Sequence, residues 1–157
     1  MSALKAGATI GSLGCGQLGR MLASAAAQLG FDVSIYCPEL DCPAARVATS
    51  HVVGAYGDPE ALLAWAQTCD VVTYEFENVP VSAAEALITA GINVRPGAKP
   101  LEVSQDRFVE KSFLQSCGIQ TAGFATIDQA SEITAPIERF GGQGILKTRR
   151  DGYDGKG

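Results

Sequence analysis

Three short stretches of the sequence combine residue types and spacings that suit ligand chemistry, and the first is a glycine loop. Gly14-x-Gly16-x-x-Gly19 directly follows the apolar run 8–13. Glycines have no Cβ, so a ligand can approach the backbone closely, and the first N–H groups of a following helix can bind an anion. A dinucleotide loop also needs an acidic residue about 20 positions later, which Glu39 supplies. The loop alone therefore fits a nicotinamide or flavin cofactor, a phosphate-bearing small substrate, or a tight turn without a ligand.

The second stretch, TYEFENVP at 73–80, contains a pair of carboxylates. If the preceding strand continues, Glu75 and Glu77 lie on one face at its carboxyl end, where open α/β sheets bind ligands. Together with the amide of Asn78, they suit a ligand that carries an amine or a ribose. In the alternative, Glu75 caps the following turn and Asn78 supports Pro80.

The third stretch is a basic, glycine-rich segment, ILKTRRDGYDGKG at 145–157. Lys147 ends an apolar run that we predict to be a strand, and further cations flank three glycines: Arg149, Arg150 and Lys156 beside Gly152, Gly155 and Gly157. A flexible loop with a positive field can close over a polyphosphate, and a lysine held on a strand can bind one phosphoryl group. The segment lacks the GxxxxGK pattern of a Walker loop, and a solvated basic turn is the alternative.

Short β-branched runs alternate with longer helical patterns along the first hundred residues. This alternation predicts βαβ units and a doubly wound, Rossmann-like α/β domain with a parallel sheet. The predicted strands are 8–13, 33–36, 51–55, 70–76 and 92–95, and the predicted helices are 17–29, 58–68 and 81–90. A single helical turn is expected at 44–48. Pro96 and Pro100 are expected to bend the chain away from the sheet.

The pattern changes after Ser104, where a charged helix is predicted at 105–117 and ends at Gly118. Shorter segments follow at 124–127, 129–140 and 144–147. We therefore divide the chain into a domain of residues 1–100 and a second part, residues 101–157, that consists of a linker helix and the beginning of another domain. Since the last residues interrupt a glycine-rich loop, we expect the chain to be a truncated part of a longer protein.

Composition and charge exclude several classes of protein. The chain has 157 residues, 46% hydrophobic and 18% charged, which is typical of a folded globular domain. A net charge of −5 argues against a nucleic-acid partner. No apolar run approaches the roughly 18 residues that span a membrane, and the N-terminus does not resemble a secretory signal, so we expect a soluble, cytoplasmic protein without a membrane partner.

The cysteines, the histidine and the tryptophan receive structural interpretations. Five cysteines form no CxxC pair and no cluster with histidine along the sequence, which argues against a disulfide framework and a zinc site. We expect most of them to be buried thiols in a reducing compartment. His51, the only histidine, is expected to be structural or on the surface, and Trp65 to pack in the core.

Taken together, the stretches resemble one enzyme family. GCGQLGRM at 14–21, YEFENVP at 74–80, Gln105-Asp106-Arg107 with Glu110-Lys111, and KTRRDGYDGKG at 147–157 occur in the order and spacing of the 5-(carboxyamino)imidazole ribonucleotide synthases, ATP-grasp enzymes of purine biosynthesis. The resemblance implies a Rossmann-like pre-ATP-grasp domain at 1–100 and the start of an ATP-grasp domain at 101–157. It implies ATP-dependent carboxylation of 5-aminoimidazole ribonucleotide by bicarbonate, with Mg²⁺ as cofactor and a homodimer at full length.

The resemblance also assigns residues to the site. Its implied ATP contacts are Arg107, Lys147, Asp151, Gly152, Tyr153, Asp154, Gly155, Lys156 and Gly157, of which Asp154 and Lys156 are the catalytic residues. Its implied substrate contacts are Gly14, Gly16, Gln17, Leu18, Glu75 and Asn78, joined by Tyr153 and Asp154. The Mg²⁺ ligands are expected outside this chain, which alone should not catalyse the full reaction. Glu39 then becomes a turn residue, and the thiol of Cys15 is expected to point away from the ligand.

Overall fold

The computed structural model describes residues 3–151 and divides into two compact units, one ending at Leu101 and the other beginning at Glu102. The first unit contains a four-stranded sheet, and the second is built from helices and irregular segments. No helix within the described residues is long and apolar enough to cross a membrane.

The sheet of the first unit is entirely parallel. Its strands are β1 (Thr9–Leu13), β2 (Asp32–Cys37), β3 (Ser50–Val53) and β4 (Val71–Tyr74). Their spatial order is β3-β2-β1-β4, so the order reverses between β1 and β4. This point is where open α/β sheets bind ligands. The predicted α/β fold with a parallel sheet is confirmed.

The predicted fifth strand is reduced to a single bridge. Val94 pairs in parallel with Val72, but no continuous strand forms over 92–95. Pro96 and Gly97 follow immediately, and both residue types tend to end strands. The prediction of a full strand here was therefore wrong.

Three helices pack on this sheet: α1 (Gln17–Gln28), α2 (Pro59–Ala66) and α3 (Val81–Thr89). The start of α2 follows the sequence signal, since the carboxylate of Asp58 accepts a hydrogen bond from the backbone N–H of Ala61 at 3.1 Å. Between β2 and β3, a 3₁₀ turn at Ala44–Arg46 replaces the predicted helical turn.

The core lies on both faces of the sheet because side chains alternate along β2. Ile35 and Cys37 belong to one buried cluster, together with Ala23 of α1, whereas Tyr36 belongs to the other. Trp65 of α2 packs with Tyr36 and is 3% exposed, which confirms its predicted core position.

The remaining helices are α4 (Ala98–Ser104), α5 (Arg107–Ser116) and α6 (Thr134–Arg139). Pro100 was expected to turn the chain away, but it lies in the first turn of α4. A helix tolerates proline there because the N–H groups of the first turn have no partner within the helix.

The predicted strand at 144–147 is absent from the described part of the second unit. Ile145 is 84% exposed and Leu146 is 71% exposed, and no strand in residues 102–151 lies beside them. A strand needs a hydrogen-bonded neighbour, so an apolar run alone does not form one.

Candidate functional site

The carboxyl ends of three adjacent strands, β2, β1 and β4, bring three loops together. Leu13, the last residue of β1, lies in register with Tyr36 of β2 on one side and with Tyr74 of β4 on the other. The residues that follow these strands, Gly14 and Glu75 among them, therefore occupy one edge of the sheet at the point where the strand order reverses.

The glycine loop encloses a carboxylate of the chain itself. Glu75 Oε1 accepts a hydrogen bond from the backbone N–H of Gly16 at 3.0 Å, and the backbone of Gly19 donates a further one. A Cβ at Gly14 would lie 2.9 Å from Glu75 Oε1, and one at Gly19 would lie 3.2 Å from it. Two of the three glycines therefore leave the space that the Glu75 side chain fills.

The loop stays a predicted contact for the ribonucleotide substrate, but in this structure it is not an open anion site. Gly16 is the N-cap of α1, and the helix N-terminus already has a carboxylate partner in Glu75. A cofactor pyrophosphate would have to displace that carboxylate, which argues against the nicotinamide alternative. Glu39, the acidic residue that a dinucleotide ribose would need, is not free for that role either, because its Oε2 lies 3.1 Å from Cys15 Sγ.

Opposing effects act on the ionisation of Glu75. Its partial burial raises the pKa of the carboxyl group, the N–H groups of Gly16 and Gly19 lower it, and the charge of Glu77 raises it. The net pKa is raised, so Glu75 binds a proton more readily than an exposed glutamate does.

The other predicted substrate residues lie on two different elements, the turn after β4 and the first turn of α1. Strand β4 ends at Tyr74, so the expected continuation that would put Glu75 and Glu77 on one face does not occur. Glu77 and the half-buried Asn78 instead belong to a turn. Gln17 and Leu18 are exposed on the first turn of α1.

Tyr56 is a site residue that the sequence analysis missed. It forms a hydrogen bond with the backbone of Gly14, and burial raises the pKa of its hydroxyl, with further increases from the charges of Glu39 and Glu75. A signal was available, since Tyr56 follows β3 by three residues and therefore lies at the same edge of the sheet. Its position adds a hydroxyl group beside the two carboxylates.

A group of sulfur atoms lies behind the glycine loop. Cys15 and Cys37 form a disulfide, and Cys42 Sγ lies 3.9 Å from Cys37 Sγ. His51 Nε2 lies 3.4 Å from Cys37 Sγ. The sequence argued against a disulfide framework and predicted mostly buried thiols; that prediction is wrong for Cys15 and Cys37, whereas Cys42, Cys69 and Cys117 are free. Cys15 follows β1 and Cys37 ends β2, so the pairing of adjacent strands brings together residues that are 22 positions apart.

In the second unit, the start of α5 binds the segment that precedes the basic loop. The Arg107 guanidinium donates a hydrogen bond to the carbonyl oxygen of Thr148 at 3.0 Å. The backbone N–H of Arg107 donates another to the carbonyl oxygen of Arg149, also at 3.0 Å. Asp106, the N-cap of α5, forms an ion pair with Arg149 at 2.7 Å and lies 3.9 Å from Arg150. Arg107 and residues 148–150 are thus held together.

Asp106 is ionised more easily than an ordinary aspartate. Burial raises its pKa, but the hydrogen bonds from Arg149 and from the backbone N–H groups of Val109 and Phe108 together lower it by more, so the net pKa is lowered. The carboxylate therefore stays charged and holds both α5 and Arg149.

The remaining predicted ATP residues are only partly described. Lys147 is exposed, and Asp151 is exposed with a φ of 59°. The other predicted residues of this segment lie outside the described residues: Gly152, Tyr153, Asp154, Gly155, Lys156 and Gly157.

Comparison with known proteins places this architecture in a family. The family model described as the ribonucleotide synthetase preATP-grasp domain matches residues 7–105. The chain belongs to this preATP-grasp family. The match includes the glycine loop, Glu75, Tyr56 and the cysteine group, whereas Arg107 and Lys147 lie beyond it.

The chain is also similar to proteins that are named as N5-carboxyaminoimidazole ribonucleotide synthases. The N5-carboxyaminoimidazole ribonucleotide synthase of Brucella melitensis is 53% identical over 156 residues, which cover 99% of this chain and 43% of that protein. The solved N5-carboxyaminoimidazole synthetase of Staphylococcus aureus in complex with ADP has a TM-score of 0.86 and 41% identity, covering 98% of this chain and 41% of that one. The Aspergillus clavatus synthase in complex with ADP and 5-aminoimidazole ribonucleotide has a TM-score of 0.73 and 31% identity, covering 87% and 37%. The chain thus spans less than half the length of these relatives.

Proposed function

We propose that this chain is part of an N5-carboxyaminoimidazole ribonucleotide synthase. In this reaction the γ-phosphoryl group of ATP passes to bicarbonate, giving carboxyphosphate and ADP. The exocyclic amine of 5-aminoimidazole ribonucleotide then attacks the carbon of carboxyphosphate, or of the carbon dioxide released from it, a proton leaves the nitrogen, and phosphate departs. The product is 5-carboxyamino-1-(5-phospho-D-ribosyl)imidazole, an intermediate of purine biosynthesis. The observation that carries the proposal is the half-buried Glu75 carboxylate at the sheet switch point, in a chain that is 53% identical to such a synthase.

We assign the substrate side of the reaction to the first unit. Glu75 is an acceptor with a raised pKa, which suits a hydrogen bond to the exocyclic amine or to a ribose hydroxyl. The N–H of Gly16 holds this carboxylate in place, and Gly14 leaves the space that it needs. Gln17, Leu18 and Asn78 supply further contacts, since the first two are exposed and the third is half-buried.

ATP binding is assigned to Arg107 and Lys147 and to the segment that begins at Asp151. The hydrogen bond from the Arg107 guanidinium to the carbonyl oxygen of Thr148 supports this assignment because it fixes a cation beside the basic segment. Within residues 152–157 we assign catalysis to Asp154 and Lys156 and give Tyr153 and Asp154 a second contact with the ribonucleotide.

A magnesium site is not proposed among the described residues. Their one group of candidate ligands consists of cysteine sulfurs, whereas Mg²⁺ requires oxygen ligands. We therefore assign the Mg²⁺ that would neutralise the polyphosphate to ligands outside residues 3–151 and derive no step from it. We further propose that the complete protein is a cytoplasmic homodimer whose partners are small molecules, in keeping with its net charge of −5.

The proposal is tested by ADP release from the complete protein that carries this sequence. Turnover should require both bicarbonate and 5-aminoimidazole ribonucleotide, and turnover without the ribonucleotide would contradict the substrate assignment. Glu75→Gln should raise the KM for the ribonucleotide roughly 10- to 100-fold, the cost of a hydrogen bond to a charged group, and leave the KM for ATP unchanged. Lys147→Ala should raise the KM for ATP and leave the KM for the ribonucleotide unchanged. Glu85→Gln, an exposed carboxylate on α3, is the matched control and should change neither constant.

A further inference from the structure

Three cysteines and a histidine form a group of soft donors that the ligase reaction does not use. The group, called here the thiol cluster, consists of Cys15, Cys37 and Cys42, which are 8%, 0% and 3% exposed, and their Sγ atoms all lie within 4.8 Å of one another. His51 adds an imidazole nitrogen 3.4 Å from Cys37 Sγ. We propose that the reduced thiol cluster and His51 bind one thiophilic d¹⁰ cation, and that Zn²⁺ matches this donor set best.

Two of the six donor-to-donor distances match a tetrahedral site, and the imidazole of His51 must turn toward Cys15 and Cys42, because only the three sulfur atoms all lie within 4.8 Å of one another. Zinc bonds of about 2.3 Å to sulfur and about 2.0 Å to nitrogen place neighbouring sulfurs ~3.8 Å apart and a sulfur–nitrogen pair ~3.5 Å apart. The Cys37 to Cys42 separation is 3.9 Å, and the Cys37 to His51 separation is 3.4 Å. Two of the six edges of the tetrahedron are therefore already present.

The third edge requires the disulfide between Cys15 and Cys37 to open. Two glutathione thiols supply the two electrons and two protons: the S–S bond breaks, two protein thiols form, and one glutathione disulfide leaves. The Cα atoms of Cys15 and Cys37 are 6.1 Å apart, so rotation about χ1 can separate the sulfurs without moving the backbone. Metal binding then releases the three thiol protons to solvent.

The surroundings favour a bound cation over free thiolates. The three sulfur atoms are buried, and Glu39 Oε2 lies 3.1 Å from Cys15 Sγ, so an uncompensated thiolate there would meet both desolvation and a like charge. A divalent cation removes both penalties at once. Because the donors come from the β1–α1 loop, the end of β2, the following loop and β3, the ion would join four segments of the fold.

The test uses Co²⁺ as a spectroscopic substitute for Zn²⁺ on the complete protein, reduced with a phosphine under anaerobic conditions. We expect one Co²⁺ per chain, a thiolate-to-cobalt charge-transfer band, the intense visible bands of a tetrahedral site, and displacement of Co²⁺ by Zn²⁺. Cys42→Ser should lower the charge-transfer intensity by about one third, since two of three thiolates remain. Cys69→Ser and Cys117→Ser, which lie outside the thiol cluster, are the matched controls and should leave the spectrum unchanged.

A second variant keeps the test valid if Cys42→Ser folds poorly. His51 is half-buried on β3, an edge strand, and His51→Asn should keep the charge-transfer band, change the visible bands and weaken Zn²⁺ binding by more than about tenfold. Oxidation with diamide should remove binding. The proposal is overturned if reduced protein with all its thiols titratable binds no Co²⁺, if Cys42→Ser leaves the spectrum unchanged, or if the oxidised protein binds Co²⁺ equally well.

Discussion

Replacement of Gly14 by alanine should destabilise the first unit more than the same replacement at Gly91. Both glycines have positive φ, 109° at Gly14 and 84° at Gly91. A Cβ at Gly14 would lie 2.9 Å from Glu75 Oε1 and 3.1 Å from its Cδ and Cγ, whereas a Cβ at Gly91 would have no atom within 4 Å. The pair therefore separates backbone strain from the clash with Glu75.

The expected magnitudes follow from these two contributions. An alanine at positive φ costs about 1–2 kcal/mol, which is the whole effect expected for Gly91→Ala. Gly14→Ala also pushes Glu75 away from the N–H of Gly16, and the loss of a hydrogen bond to a charged group costs a further ~1.5–3 kcal/mol. The entropy that alanine removes from the unfolded chain is common to both variants and cancels in the comparison.

Urea unfolding followed by the fluorescence of Trp65, the single tryptophan, measures both variants in the unit that contains the loop. A double-mutant cycle of Gly14→Ala with Glu75→Ala should show a coupling free energy of about 1.5–3 kcal/mol, because the clash disappears when the carboxylate is removed. If Gly14→Ala costs no more than Gly91→Ala, or if its cost persists beside Glu75→Ala, then the glycine does not serve the approach of Glu75.

Three further outcomes are expected. Asp106→Asn removes the ion pair with Arg149 and keeps the helix cap, whereas Asp106→Ala should cost about 1 kcal/mol more in urea unfolding because the cap is lost too. Because the pKa of Asp106 is lowered on folding, its contribution to the free energy of unfolding is present above the unfolded pKa and is lost as the pH falls through the folded pKa. Glu75 has the opposite sign: its raised pKa makes the folded chain bind the proton more tightly, so stability falls as the pH rises from the unfolded to the folded pKa, and Glu75→Gln should remove that slope in pH-dependent unfolding. Trp65→Phe should cost about 1–3 kcal/mol in thermal unfolding, since the indole N–H loses its 2.9 Å hydrogen bond to Ser34 Oγ; an unchanged Tm would show that this bond contributes nothing.

Local signals predicted the elements well where the sequence supplies the capping groups itself. Asp58 and Pro59 start α2 as expected, and Gly30 follows the end of α1 with a φ of 79°. The apolar run at 144–147 carries no comparable local signal, because a strand is defined by a neighbour that the run cannot specify. Its expected strand was wrong for that reason.

Long-range proximity explains what the sequence could not predict about the site. The glycine spacing indicates an anion near the start of α1 but does not say which one, and Glu75 lies 59 positions from the N–H group that it binds. Cys15 and Cys37 become neighbours only because β1 and β2 are adjacent in the sheet. Tyr56 differs from these, because its place three residues after β3 could have predicted this edge of the sheet, although not its hydrogen bond with Gly14.

The position of Glu75 also determines which end of a ribonucleotide can approach the glycine loop. Two unit charges 4 Å apart repel by about 4 kcal/mol near a protein surface, so a phosphate could not share the N–H groups of α1 with this carboxylate at little cost. A hydrogen-bond donor, such as the exocyclic amine or a ribose hydroxyl, would instead gain an acceptor. Glu75→Gln therefore separates the two orientations by the sign of its effect, measured as the Kd of the ribonucleotide by calorimetry. Weaker binding indicates that the donor end faces Glu75, and tighter binding, from relief of repulsion, would refute this orientation.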